Sequence, residues 1–304
     1  MRATSLHIAR LVFRAAAVSG AALLALVVVQ GARAAYAEYR AVVPPRGPVP
    51  RPETLPDSFV DAEFPSKSGA SMKGWWSPGS NGAAVVLLGG TGADRRGVLN
   101  EALFLAAAGY AVLLYDHPGH GESAGPPDWV VEMPQALGGA LDWMSAQPGV
   151  DPRRMGALGF SMGGATVASV AARDPRLTAV VLLGCYTDAD EQTRAEYSRL
   201  GAIQGIPAIC VMRWAGIAAG SLRPLDDVAR MAPRPLLIVA GSDDKTVPTS
   251  MARELYAAAH APKELWIVEG ASHGDYADRA GDEYARRLRA FLDGALASPP
   301  TAAR

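Results

Sequence analysis

The sequence predicts an α/β fold, with a mainly parallel sheet covered by helices on both faces. Three observations predict it. Short, continuous apolar runs recur along the chain, as expected of strands buried on both sides. Stretches with helical spacing alternate with them, the order that right-handed crossovers between parallel strands require. A strand–serine–helix sequence, Met155 to Arg173, lies near the middle.

Taken in order, Phe59 to Phe64 alternates like a strand, and Met72 to Trp76 forms a second after the Ser68-Gly69 turn. Ala84 to Leu88, Ala111 to Tyr115, Met155 to Gly159, Ala179 to Leu183, Pro235 to Ala240 and Glu264 to Val268 are the buried runs. The helical stretches are Val98 to Ala108, Glu132 to Ala146, Met162 to Arg173, Thr249 to His260 and Asp278 to Leu296. Asp174-Pro175 ends the third of these, because proline cannot continue a helix. No internal repeat is visible. About fifty residues, Cys185 to Arg234, interrupt the rhythm after a strand. They are helical but irregular, broken by Gly201, Gly205, Pro207, Gly216 and Gly220. Ligands bind at the carboxyl ends of strands in open α/β sheets, so residues 185–234 are expected to form a lid.

With 304 residues and 49% hydrophobic content the chain can bury one large core or two modest ones. A formal charge of -1 and the lack of a Lys/Arg run give no sign of a nucleic-acid partner. The two cysteines, Cys185 and Cys210, are too few for a disulfide scaffold and lack metal-site spacing; in an exported protein they could form one bridge or stay free. Near the N-terminus, Arg2, Arg10 and Arg14 precede an uncharged apolar stretch, Ala15 to Ala32, with no amphipathic face. Residues 1–37 are therefore expected to be a membrane anchor, or a signal segment cut near Ala35-Tyr36-Ala37. Either way the basic flank stays inside and the rest is translocated. Residues 38–57, dense in proline from Pro44 to Pro56, are expected to form an extended tether lifting a domain of residues 58–297 off the membrane.

The chemistry centres on Gly159-Phe160-Ser161-Met162-Gly163-Gly164. This fits a nucleophile elbow, a cramped turn that admits only small residues two places either side of the serine. In a chain with 32 Gly the bare pattern carries little weight. Its position between an apolar run and a helix gives it weight. A serine hydroxyl needs a base to take its proton, and the base needs an acid to fix its tautomer. Two histidines follow Ser161. His260 ends a helix, where it faces solvent. His273 lies in a loop just past Val268, at the same sheet edge as the serine, and is the expected base. The acid should follow Pro235 to Ala240, where Gly241 to Pro248 offers Asp243 and Asp244.

With the elbow, the acid loop and the histidine loop in order, the stretch from Phe59 to Leu296 resembles the α/β-hydrolase fold serine hydrolases. That superfamily includes esterases and peptidases. The resemblance implies an eight-stranded, mainly parallel sheet with a short helical lid. It selects Asp244, since the family's acid loop reads G-x-x-D-x-x-V-P, and leaves Asp243 as a neighbour that could cap the following turn. An oxyanion hole needs two backbone N–H groups. Met162, at a helix N-terminus, supplies one; by alignment Thr91 of Gly89-Gly90-Thr91-Gly92 supplies the second, although the family's usual histidine is missing there. Asp116-His117-Pro118-Gly119-His120-Gly121-Glu122-Ser123 resembles the family's D-x-R-G-x-G-x-S turn with Pro118 in place of arginine, and shapes the loop. A metal site at Asp116, His117 and His120 is not expected, and no phosphate loop or dinucleotide fingerprint is present. The resemblance implies a serine hydrolase cleaving an ester or related acyl bond of a small substrate, with no cofactor and no metal. Aminopeptidase-like, thioesterase and acyltransferase chemistries of the same fold remain open, as does a non-catalytic binding module.

Overall fold

In the computed structural model, which describes residues 2–44, 46–197 and 200–297, a long helix α1 (Arg2–Val42) leads into an eight-stranded sheet. The elements follow as β1 (Val60–Pro65), β2 (Ser71–Ser77), β3 (Ala84–Leu88), α2 (Leu99–Ala107), β4 (Ala111–Tyr115), α3 (Glu132–Ser145), β5 (Met155–Phe160), α4 (Met162–Ala171) and β6 (Leu177–Leu183). Then come α5 (Ala189–Glu196), α6 (Ala202–Trp214), α7 (Pro224–Val228), β7 (Leu236–Gly241), α8 (Thr249–Ala258), β8 (Lys263–Val268), α9 (Tyr276–Ala280) and α10 (Asp282–Ala295). The strand order is β1-β2-β4-β3-β5-β6-β7-β8; β2 runs antiparallel to both its neighbours, β1 and β4, and β3 to β8 are parallel.

The all-apolar strands are the ones covered on both faces. Every residue of β3 and β4 is buried. On one side Val86, Leu88, Leu113 and Tyr115 pack with Met133 and Leu137 of α3, Val167 of α4 and Leu255 of α8. On the other, Val85, Leu87, Val112 and Leu114 pack with Leu105 of α2 and Leu288 and Leu292 of α10. Replacing one such leucine by alanine costs about 2–5 kcal/mol. The stretch expected as a single helix from Asp278 to Leu296 is two helices, α9 and α10. Gly281 separates them at φ 55°, a left-handed conformation that glycine adopts without a Cβ penalty.

The chain leaves β3, crosses to β4 on one side, and returns to place β5 on the other. That reversal opens a crevice at the carboxyl ends of β3 and β5. The register Leu88↔Gly159 sets the turn after β3 beside the elbow after β5. Registers Phe160↔Leu183 and Gly241↔Val268 bring the loops after β6, β7 and β8 to the same edge.

Two features differ from the expected layout before the sheet. Helix α1 does not stop at residue 37 but continues through Glu38 and Tyr39 to Val42, since Ala, Glu and Arg propagate a helix and only Pro44 forces an exit. The proline-rich stretch after it is not a free-standing tether. Arg46 bridges to Gly121 and its Nε donates to the Gly119 carbonyl at 3.1 Å, while Leu55 and Phe59 are buried with Trp75. Apolar side chains between the prolines anchor the strap to the domain. Pro45, expected in that segment, lies outside the described residues, as do the side chains of Arg2 and Arg10.

Residues 185–234 form α5, α6 and α7. Helix α7 packs on α4 and α8, whereas α6 lies along α1. The carbonyl of Ile203 and the ring of Pro207 come so close to Gly31 that a Cβ there would sit 3.2 and 3.3 Å from them. Tyr39 faces Trp214 with ring centroids 5.9 Å apart.

Candidate active site

Ser161 stands between β5 and α4 with φ 53° and ψ −117°, the one non-glycine residue with positive φ among the described residues. Such a conformation costs about 1–3 kcal/mol and persists only when its surroundings impose it. The neighbouring glycines show how they do so. A Cβ on Gly159 would sit 2.4 Å from the Gly163 carbonyl, and one on Gly163 would sit 2.4 Å from the Gly89 carbonyl. Strand β5, helix α4 and the turn after β3 are thus in contact through bare backbone, and the serine is pushed out above the sheet edge. Helix α4 begins at Met162, whose N–H is one of the orphan donors of a helix N-terminus.

The histidine and aspartate loops meet beside it. His273 Nδ1 and Asp244 Oδ2 are 2.7 Å apart. The other carboxylate oxygen, Asp244 Oδ1, accepts the N–H groups of Thr246 at 2.9 Å and Val247 at 2.8 Å, so the carboxylate is fixed at both ends. Asp244 therefore caps its own turn, the part expected of Asp243. Asp243 is exposed and meets Ser242 Oγ at 3.3 Å. His260 is exposed beyond the end of α8. The His273 ring is seated by residues that the motifs did not single out. Phe160 packs on it at 4.8 Å between centroids, and Gly184 leaves room for it, since a Cβ there would lie 3.1 Å from the imidazole. Among the described residues no hydrogen bond yet joins Ser161 Oγ to His273. Bonds of this kind commonly tighten only when substrate binds.

Thr91, Ser161 and His273 line one cavity of about 310 Å³. The turn that carries Thr91 is held from below by His117, whose Nε2 lies 2.9 Å from the Gly89 carbonyl. With a carbonyl as its partner, Nε2 carries the proton. Burial, and next the neighbouring His120, hold the His117 pKa down to about 3, so the ring is neutral. Position 118 is a proline, and the cation beside Asp116 comes from another segment. Arg95, in the short 3-10 turn after β3, donates its backbone N–H to Asp116 Oδ1 at 2.7 Å and Nη2 to Oδ2 at 2.8 Å. Arg95 and Asp116 are buried, and Glu122 completes the ion pair at the surface. Asp116 is thereby committed to Arg95, and His117 to the Gly89 carbonyl. Cys185 is a buried free thiol against Gly164, and Cys210 is free and exposed on α6.

Besides Trp129, Phe160, Thr246 and the segment after β3, the cavity takes walls from the insertion and from α1. Tyr186, Gln192, Glu196 and Tyr197 belong to the insertion; Ala37, Glu38 and Ala41 belong to the last turns of α1. Leu200 and the helix α6 do not reach it among the described residues.

With an eight-stranded, mainly parallel sheet, an elbow after β5 and a carboxylate–histidine pair at the same edge, the chain has the α/β-hydrolase fold. A family model described as serine aminopeptidase, S33, matches residues 79–222, which include Thr91 and Ser161 and end before Asp244 and His273. The uncharacterized Mycobacterium tuberculosis protein Rv2307c is 29% identical over 254 residues, covering 82% of this chain and 84% of that one. The Escherichia coli protein YfhR is 28% identical over 257 residues, with 79% and 83% covered. Among solved structures, the Pyrococcus furiosus esterase Pf2001 superposes with a TM-score of 0.71 at 22% identity, over 84% of this chain and 98% of that one.

Proposed function

We propose that this hydrolase cleaves a carboxylic ester, or a closely related acyl bond, through an acyl-enzyme on Ser161. The observation that carries the reading is the His273–Asp244 pair at 2.7 Å, placed with the strained Ser161 at one sheet edge. Ser161 Oγ attacks the carbonyl carbon while His273 Nε2 takes its proton; Asp244 holds the tautomer and the imidazolium that forms. The N–H groups of Met162 and Thr91 receive the oxyanion. His273 then returns the proton to the leaving alcohol, the C–O bond breaks, and a water activated by the same histidine releases the acid. These steps are completed by protein groups and water, so the reading calls for neither cofactor nor metal.

The cavity of about 310 Å³ suits a short acyl group. Helix α1 contains a stretch, Phe13–Val42, apolar and long enough to cross a membrane. We read it as an anchor, with Arg14 on the inner side and the catalytic domain outside. An apolar segment of about 20 residues fills a bilayer, so the last turns of α1 stand clear of it. The match to a serine aminopeptidase model supports a second reading, in which the scissile bond is an amide. Turnover of matched esters, thioesters and amides by the detergent-solubilised full chain separates the two. The ester reading expects kcat/KM for a butyrate ester to exceed that for the butyryl amide by at least about 100-fold. An N-terminal aminoacyl amide cleaved faster than any ester would replace it.

A further inference from the structure

Glu38 is a carboxyl that the mechanism does not use. It lies one turn from the end of α1, only 5% exposed, and lines the same cavity as Ser161 and His273. A buried carboxyl without a cation is costly, and no salt bridge engages Glu38 among the described residues. Burial, and next the negative charge of Glu196, raise the Glu38 pKa to about 7, so above that pH the carboxyl is ionised with no cation to offset it. Glu196 of α5 lines the same cavity, and the phenol of Tyr197 is pushed up by burial and then by the negative charges of Glu38 and Glu196. Among the described residues lining the cavity there is no Lys or Arg. Apart from these carboxyls, α1 and the insertion contribute Ala37, Ala41, Tyr186, Gln192 and Tyr197 to the wall.

We infer that the last turns of α1 are a working wall of the catalytic cleft, and that Glu38 is a specificity-determining residue that turns away anionic substrates and admits uncharged ones. This rests on the serine hydrolase reading above. Above about pH 7, where Glu38 is ionised, its charge and that of Glu196 repel a carboxylate brought into the same cavity. An acyl chain ending in carboxylate would face both Glu38 and Glu196, whereas a methyl-terminated chain of equal length meets two alanines and an aromatic ring. The same geometry gives α1 a second role. Cleavage after Ala37 would detach one wall residue and leave Glu38 as a charged chain end, so an intact helix is part of the active site rather than a disposable leader.

The test compares, at about pH 8.5 where Glu38 is ionised, para-nitrophenyl butyrate with the para-nitrophenyl half-ester of succinate, equal in length and different in charge. The full chain in detergent is measured as wild type, Glu38→Gln, Glu38→Lys and Ala41→Phe. Labelling of Ser161 by an uncharged fluorophosphonate is recorded on the same samples. Wild type is expected to prefer butyrate. That preference should fall about tenfold in Glu38→Gln and further in Glu38→Lys, through KM rather than kcat. Ala41→Phe should lower kcat/KM for both esters by about tenfold, by filling the cleft. A preference unchanged within twofold in both Glu38 variants, with Ser161 still labelled, overturns the proposal. Should the Glu38 variants fail to fold, an Ala41→Phe protein with wild-type kcat/KM overturns it instead. Wild type that takes no label at Ser161 defeats the hydrolase reading, and this one with it.

Discussion

At the scale of single residues, the site depends on places where backbone meets backbone. Gly159 and Gly163 let a strand, a turn and a helix converge under Ser161, and the strain at Ser161 is imposed by that convergence. Asp244 is bound at both oxygens, one to His273 and one to its own turn, while Asp243 is exposed and meets only Ser242 Oγ among side chains. The two aspartates should therefore respond differently. Asp244→Asn and His273→Ala are expected to lower kcat by about 10⁴-fold, because triad members act as a unit. Asp243→Asn is expected to change it less than about threefold. Steady-state kinetics on an activated ester checks this; equal losses at 243 and 244 would contradict the assignment.

At the scale of elements, much of the sheet was legible because an apolar run bounded by turns has few other readings. Ala84–Leu88 and Ala111–Tyr115 are the expected strands residue for residue. What escaped were contacts between distant segments. Arg95 and Asp116 are 21 residues apart, and nothing in either stretch announces that the two pair. Glu38 escaped for a similar reason. An apolar stretch read as an anchor says nothing of what its last turns touch, and the prolines after it suggested a free tether rather than a strap held by Leu55 and Phe59. Charge balance at the buried pair gives a prediction at this scale. Arg95→Met leaves Asp116 buried without its cation and should destabilise the domain by about 3–5 kcal/mol. The double variant with Asp116→Leu should recover part of that loss. Urea unfolding measures both; a single variant as stable as wild type would contradict the buried pair.

At the scale of the whole molecule, one sheet carries Ser161, Asp244 and His273 on its carboxyl edge, while a long helix both reaches away from the domain and returns its final turns to that edge. Stability and function share groups there. His117 holds the Gly89 turn as a neutral ring with a pKa near 3, below the ordinary 6.5. As pH falls below about 6.5 the unfolded chain takes up this proton before the folded one does, so stability declines on the acid side. At pH 5 the loss from this group is about 2 kcal/mol. Urea midpoints between pH 7.5 and 5 should show it, with a shallower decline in His117→Gln; identical slopes would remove the assigned role. The central claim is nucleophilic catalysis by Ser161, and the most direct measurement is fluorophosphonate labelling of the full chain with the adduct located by peptide mass spectrometry. One adduct on the peptide containing Ser161, absent in Ser161→Ala, is the predicted result. No adduct on the folded wild type at neutral pH, or an adduct that survives in Ser161→Ala, would contradict it.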